Sequence, residues 1–232
     1  MQNATAALGL VLAAIGSTVS EAAEDCHWPA HEQALASAVD TDQGTRKELA
    51  TLFREFTARR KVDGLATESG RPAATDEEKE RWLAASRAAA KGADDAQALI
   101  FPLIERCGWP APQGLSTKAA DAPWLILQHA NLVAQLKYQG LVEKAVREGH
   151  VAPQKYALLV DRIRVRQGRP QLYGSQLVTD ASGVKATLSN IEDEANLDSR
   201  RLAIGLKPIC EYIAGFAEYE PGEVYKPCRI NK

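Results

Sequence analysis

No run of apolar residues in this sequence reaches the roughly 20 needed to cross a bilayer as a helix, so no membrane span is expected in the mature chain. Charge of one sign is lacking as well. With 28 basic residues against 30 acidic ones the net charge is −2, which provides no global field for nucleic acid or an anionic surface. Basic residues interleaved with aromatics are absent, so nucleic acid is not an expected partner. The four cysteines contain no C-x-x-C pair, which argues against a zinc site or a redox motif. There is no G-x-S-x-G elbow, no H-E-x-x-H and no P-loop. No internal repeat or low-complexity linker divides the chain. These absences remove the familiar catalytic classes, and no cofactor or metal is expected; Pro29 between His27 and His31 keeps that pair off a common helix face.

What remains is 232 residues of ordinary globular composition, 45% hydrophobic and 25% charged. That is enough chain for one domain with a sizeable core. The start differs from the rest. Ala6 to Gly16 is uncharged and apolar, the length of a signal-peptide core, and Ser20-Glu21-Ala22 offers small residues at the cleavage positions. No Lys or Arg precedes the run. Residues 1–22 are therefore expected to be a signal peptide, and the mature protein to be periplasmic or secreted. All four cysteines follow the cleavage point, and an even count in an oxidising compartment favours two disulfides. Cys210–Cys228 closes a short loop and is the favoured pair, leaving Cys26–Cys107.

Hydrophobic periodicity predicts a mainly α fold: one helical domain of about eight helices, over residues 23–219, with a β-hairpin at 171–188 and a disulfide-tied tail at 220–232. A helix is expected from His31 to Arg60, with Gly44 as a possible divide. Breakers at Gly64, Ser69, Gly70 and Pro72 mark a loop. Thr75 and Glu78 form a capping box opening a helix that stops near Gly92. A second, from Asp94, carries Leu99, Ile100, Leu103 and Ile104 and ends at Gly108, with Pro102 kinking or restarting it. A short helix over Ser116–Asp121 should give way to one starting at Pro123 and running to about Leu136, then another over Tyr138–Glu148. Pro153 opens a helix ending near Gly168. Gln171–Val178 and Val184–Leu188 read as strands around the turn Asp180-Ala181-Ser182-Gly183. Asn196 or Asp198 caps a helix stopping at Gly205, and Pro208 opens the last one.

Four polar clusters stand out against this scaffold. Gln128 and His129 sit beside the apolar stripe Leu125, Leu132, Val133 and Leu136. A polar side chain on a packed face is costly unless hydrogen-bonded. Two readings stay open: a satisfied core pair, or a histidine facing a cleft as an acid–base group. Asp161 and Arg162 border the buried side of their helix, while Arg164 and Arg166 read as arginines that pair with Asp161 to fix the helix. Gln171, Tyr173 and Ser175 would share one face of a polar strand, with Gln176 on the other. Asp42, Gln43 and Arg46 lie on adjacent turns of the first helix.

Together these motifs resemble the DUF6624 family of bacterial proteins of unknown function. The resemblance rests on Asp42-Gln43-x-x-Arg46, Gly108-Trp109-Pro110, Gln128-His129-Ala130-Asn131, Asp161-Arg162 and Pro170-Gln171-x-Tyr173-Gly174-Ser175-Gln176. Arg200-Arg201 and Gly205-Leu206 look like the family too. Asn131 stands where the family usually has Asp, and Ser175 where it has Thr. The resemblance brings no activity with it. Two functions are open: a hydrolase-like enzyme, or a non-catalytic binding or immunity-type protein whose partner is a small molecule or another protein. In the first, His129 is the acid–base group and Asp161 its orienting carboxylate. Arg46 and Arg162 hold an anionic part of the substrate, and Asp42, Gln43, Gln128, Gln171, Tyr173 and Gln176 line the cleft.

Overall fold

The computed structural model describes residues 26–63, 75–179, 186–216 and 221–229. The expected signal peptide, the loop at 64–74 and the hairpin turn at 180–183 lie outside the described residues. The chain is helical, as its periodicity predicts, with a two-stranded antiparallel hairpin as its sheet among those residues.

Five long helices form the body: α1 (Glu32–Asp63), α2 (Asp76–Cys107), α3 (Thr117–His129), α4 (Leu132–Arg147) and α5 (Pro153–Arg166). A short 3-10 turn, Trp28–His31, leads into α1. The capping box forms as expected: Glu78 N–H donates to Thr75 Oγ1 and Thr75 N–H donates to Glu78 Oε2. Gly108 stops α2 at φ 72°, where a residue with a Cβ is strained. Four expected breaks do not occur. Gly44 lies inside α1, Gly92 and Pro102 lie inside α2, and Pro123 lies inside α3. Gly92 serves packing: a Cβ there would come within 2.8 Å of Thr41 Cγ2, so the glycine lets α1 and α2 approach closely. Pro102 forgoes one hydrogen bond, at a cost of about 3 kcal/mol. The burial of Ile100, Leu103 and Ile104 on the turns around it offsets that cost. Ser116 caps α3 by accepting from Ala119 N–H.

A break appears instead where the sequence predicts continuity. The chain leaves the helical region at Ala130 (ψ 172°), and Asn131 restarts it as N-cap of α4, accepting from Ala134 N–H at 2.9 Å. The corner turns α4 back, so that it packs along α5, while α1 packs against both α2 and α3. Leu35, Ile100, Ile104, Leu127, Val142 and Leu159 fill the common core. Cys26–Cys107 joins the start of this body to the end of α2, with Cα atoms 5.2 Å apart.

The remainder is built from pieces too short to be stable alone. The hairpin pairs β1 (Leu177–Thr179) with β2 (Ala186–Leu188), Val178 opposite Thr187. Then come α6 (Leu197–Ala203), α7 (Ile209–Ala214) and, in the disulfide-tied tail, α8 (Pro221–Val224) and a 3-10 turn, Lys226–Cys228. Leu197, Ile209, Ile213 and Val224 give these pieces their own small core. Cys210–Cys228 staples it. Both disulfides fall where the sequence places them. Among the described residues no helix is long and apolar enough to cross a membrane.

Candidate functional site

The α3 corner gives His129 its position. It is the last residue of α3, and the break at Ala130–Asn131 leaves its ring at the body's edge, 18% exposed. Its Nδ1 lies 2.9 Å from Oδ2 of Asp42, which is on α1, 87 residues earlier. A carboxylate can only accept, so Nδ1 carries the shared proton, and Nε2 is the nitrogen left to exchange a proton with a ligand. Asp42 is 6% exposed and also accepts from Arg46 Nε, 3.0 Å from each oxygen. Burial acts to raise the Asp42 pKa, but the hydrogen bonds and charges of His129 and Arg46 outweigh it and hold it below the ordinary carboxylate value. Asp42 is thus ionised and fixed.

Arg162, on α5, closes the other side. Its Nη1 donates to the Gln128 carbonyl and its Nε to Gln176 Oε1, both at 2.9 Å. Arg166, one turn on, donates through Nη1 to the Ala130 carbonyl and to Gln135 Oε1. The two guanidinium groups therefore grip the carbonyls on either side of His129. Burial, reinforced by repulsion from Arg166 and Arg46, pulls Arg162 below the usual arginine range. Among the described residues no carboxylate pairs with Arg162 or Arg166. Gln128 is buried; its Nε2 lies 3.5 Å from the Leu158 carbonyl, and its Oε1 has no hydrogen-bond partner among the described residues. Gln176 Nε2 donates to Ser175 Oγ, and Tyr212 Oη donates to the Ser175 carbonyl.

Asp161 is elsewhere, and its expected role needs correcting. It is fully buried, and its oxygens accept from the backbone N–H groups of Leu172, Tyr173 and Ser175 at 2.7–3.2 Å. The carboxylate that orients His129 is Asp42. Nor do Arg164 and Arg166 pair with Asp161: Arg164 pairs with Glu192 and donates to the Pro170 carbonyl.

The expected polar strand is corrected for the same reason. Residues 171–176 form a loop wrapped around Asp161, because the amides that would build a ladder are spent on its carboxylate and Gly174 turns the chain at φ 64°. Gln171 is buried within that loop. Its amide bonds both ways with the backbone of Gln176, and its N–H and C=O join Asn190 and Glu192. Tyr173 contributes its backbone, its carbonyl accepting from the buried Arg201. Gln43 is exposed on α1 beside the pair. Of the expected cleft residues, Asp42, Arg46, Gln128, His129, Arg162 and Gln176 come together. Asp161, Gln171 and the Tyr173 backbone form the scaffold beneath Gln176.

Sequence reading passed over Gln135, and it assigned Arg166 to the wrong partner. The visible signal for Arg166 was its i, i+4 spacing from Arg162, which places both on one face of α5. Gln135 Nε2 donates to the Leu127 and Gln128 carbonyls, closing the end of α3 from within. A separate groove of about 350 Å³ between α1 and α2, lined by Lys47, Thr51, Glu55 and Arg81, contains none of these residues.

A helical bundle with a His–Asp pair and a cluster of arginines at one helix corner is the class of protein this geometry defines. A family model matches residues 76–220, that of the family of unknown function DUF6624. The chain belongs to that family. No curated protein and no solved structure matches it. Asp42 and Arg46 lie outside the matched residues, although they are two of the six side chains that come together in the polar centre.

Proposed function

We propose that the corner around His129 is an acid–base centre of a hydrolase-like enzyme acting on a substrate with an anionic part, and that the protein works in the periplasm or outside the cell. The observation that carries the reading is the Asp42–His129 pair. A buried, ionised carboxylate holds Nδ1 of a partly exposed ring and leaves Nε2 for proton transfer, the arrangement a general base needs. Arg46 and Arg162 would hold the substrate's charge, and Gln128 and Gln176 its polar groups. The disulfides support an oxidising compartment. Residues 1–22 would be the export signal.

The test is a panel of hydrolase substrates offered to the purified, disulfide-bonded protein beside its His129→Gln variant. Turnover in the parent that is absent in the variant supports the reading. Equal turnover in both, or none from either, would sink it.

One observation favours a second reading, a protein-binding role. Val133 and Leu136, on the first turns of α4, are 76% and 46% exposed. Apolar side chains so close to the corner suit a protein surface as well as a substrate. In that reading Val133→Glu would abolish partner binding, and no substrate would turn over.

A further inference from the structure

The site holds more positive charge than the described residues balance. Arg46, Arg162 and Arg166 all approach the end of α3, two of them through the carbonyls flanking His129 and the third through Asp42. The compensation on hand is one carboxylate, Asp42, together with the negative end of the α3 dipole, worth about half a charge. Among the described residues Asp161 forms no ion pair with any of the three arginines; its oxygens accept from backbone amides instead. Three guanidinium charges against those two terms leave roughly one and a half positive charges at the corner.

We propose that Arg162, with Arg46 and Arg166, binds a phosphate-type dianion carried by the substrate. The proposal rests on the acid–base reading above and names its substrate class. A phosphate monoester carries about −1.5 to −2 at neutral pH, which matches the excess; a carboxylate would leave part of it unbalanced. The donors match too. A guanidinium has five N–H groups, and among the described residues Arg162 spends one on Nε and one on Nη1, which leaves its Nη2 edge to meet an oxyanion. Arg46 spends only Nε, on Asp42, and Arg166 spends only Nη1. Those unspent edges belong to side chains fixed at their other ends, so little rotamer entropy is lost on binding. The anion would lie beside Nε2 of His129, the position from which that nitrogen could take a proton from an attacking water or return one to a leaving oxygen.

The test is calorimetric titration of the full, disulfide-bonded protein with inorganic phosphate at about pH 8, where the ion is largely a dianion. Acetate is titrated in parallel at equal ionic strength. The expected result is one phosphate per chain, with acetate at least about tenfold weaker, as a loss of one charge-assisted pair implies. Arg162→Gln should weaken phosphate about tenfold or more. Because Arg162 also holds Gln128 and Gln176 in place, Arg162→Lys and the exposed Arg166→Gln serve as milder variants, each expected to weaken phosphate severalfold while the circular dichroism spectrum stays unchanged. Acetate binding as tightly as phosphate, absence of phosphate binding, or phosphate affinity unaltered in both milder variants would overturn the proposal. Phosphate binding without any His129-dependent turnover would keep the anion site and remove the acid–base reading. His129-dependent turnover of uncharged substrates by a protein that binds no phosphate would do the reverse.

Discussion

Replacing Asp161 with Asn separates scaffold from chemistry more sharply than any change at His129. The substitution keeps the shape of the side chain and exchanges one carboxylate oxygen for an NH2 group. Oδ1 accepts from Leu172 and Tyr173, and Oδ2 from Tyr173 and Ser175. Whichever way the new amide turns, either the Leu172 or the Ser175 N–H faces another donor in a site closed to water. Stranding one buried N–H costs about 1–3 kcal/mol. The remaining bonds fall from charge-assisted to neutral, roughly halving their strength, at about another 1 kcal/mol each. Relief from burying a charge returns part of this. A net loss of about 2–4 kcal/mol follows, or a Tm lower by roughly 5–15 °C for a domain of this size. Thermal unfolding followed by circular dichroism, with disulfides intact, measures it. Asp42→Asn is the companion, with its larger effect expected on ligand binding. A Tm shift under about 2 °C for Asp161→Asn, with ligand binding or turnover lost, would refute the reasoning and return Asp161 to the site.

Three other outcomes are expected. Asp42 has a folded pKa below its unfolded value, so its stabilisation is fully present above about pH 3.9 and is lost as the pH falls through the folded value. The stability gap between the parent and Asp42→Asn should therefore close below about pH 4 in acid-unfolding curves, and a gap that widens there would contradict the assignment. Replacing both Cys210 and Cys228 with Ser opens a loop with a sequence separation of 18 and should cost about 3 kcal/mol. Hydrogen exchange should then rise first in α7 and α8 and leave α1 to α5 protected; uniform exchange across the chain would deny the small core its separate standing. Asn131→Asp should be neutral within a few tenths of a kcal/mol, and Asn131→Ala should cost about 1 kcal/mol, because the residue is an N-cap and either acid or amide can cap; denaturant midpoints decide it.

The capping box, the stop at Gly108 and the cysteine pairing were legible because each depends on residues near in sequence or on simple loop length. Breaks assigned to Gly92, Pro102 and Pro123 failed because tertiary burial overrides local propensity: α2 and α3 stay continuous where their apolar faces remain continuous. The Ala130–Asn131 corner went unseen because Leu125, Leu132, Val133 and Leu136 keep a helical period across it. Val133 and Leu136 are in fact exposed, so that apparent stripe spans two differently directed helices. For the site, residue types were readable and partners were not. Asp42 and His129 meet only through the packing of α1 on α3, and nothing in either segment encodes that distance. Asp161 misled because a buried aspartate beside an arginine looks the same whether it serves an imidazole or three loop amides.

The family match begins at residue 76, just past α1. α1 nonetheless inserts Leu35 and Val39 into the main core and is tied to the far end of α2 through Cys26 and Cys107. A chain cut to the matched boundary would bare that core and leave the histidine with no counter-ion. Anyone choosing where to trim this protein for expression should therefore begin before Cys26; a shorter piece could be soluble and helical and still be silent in every assay.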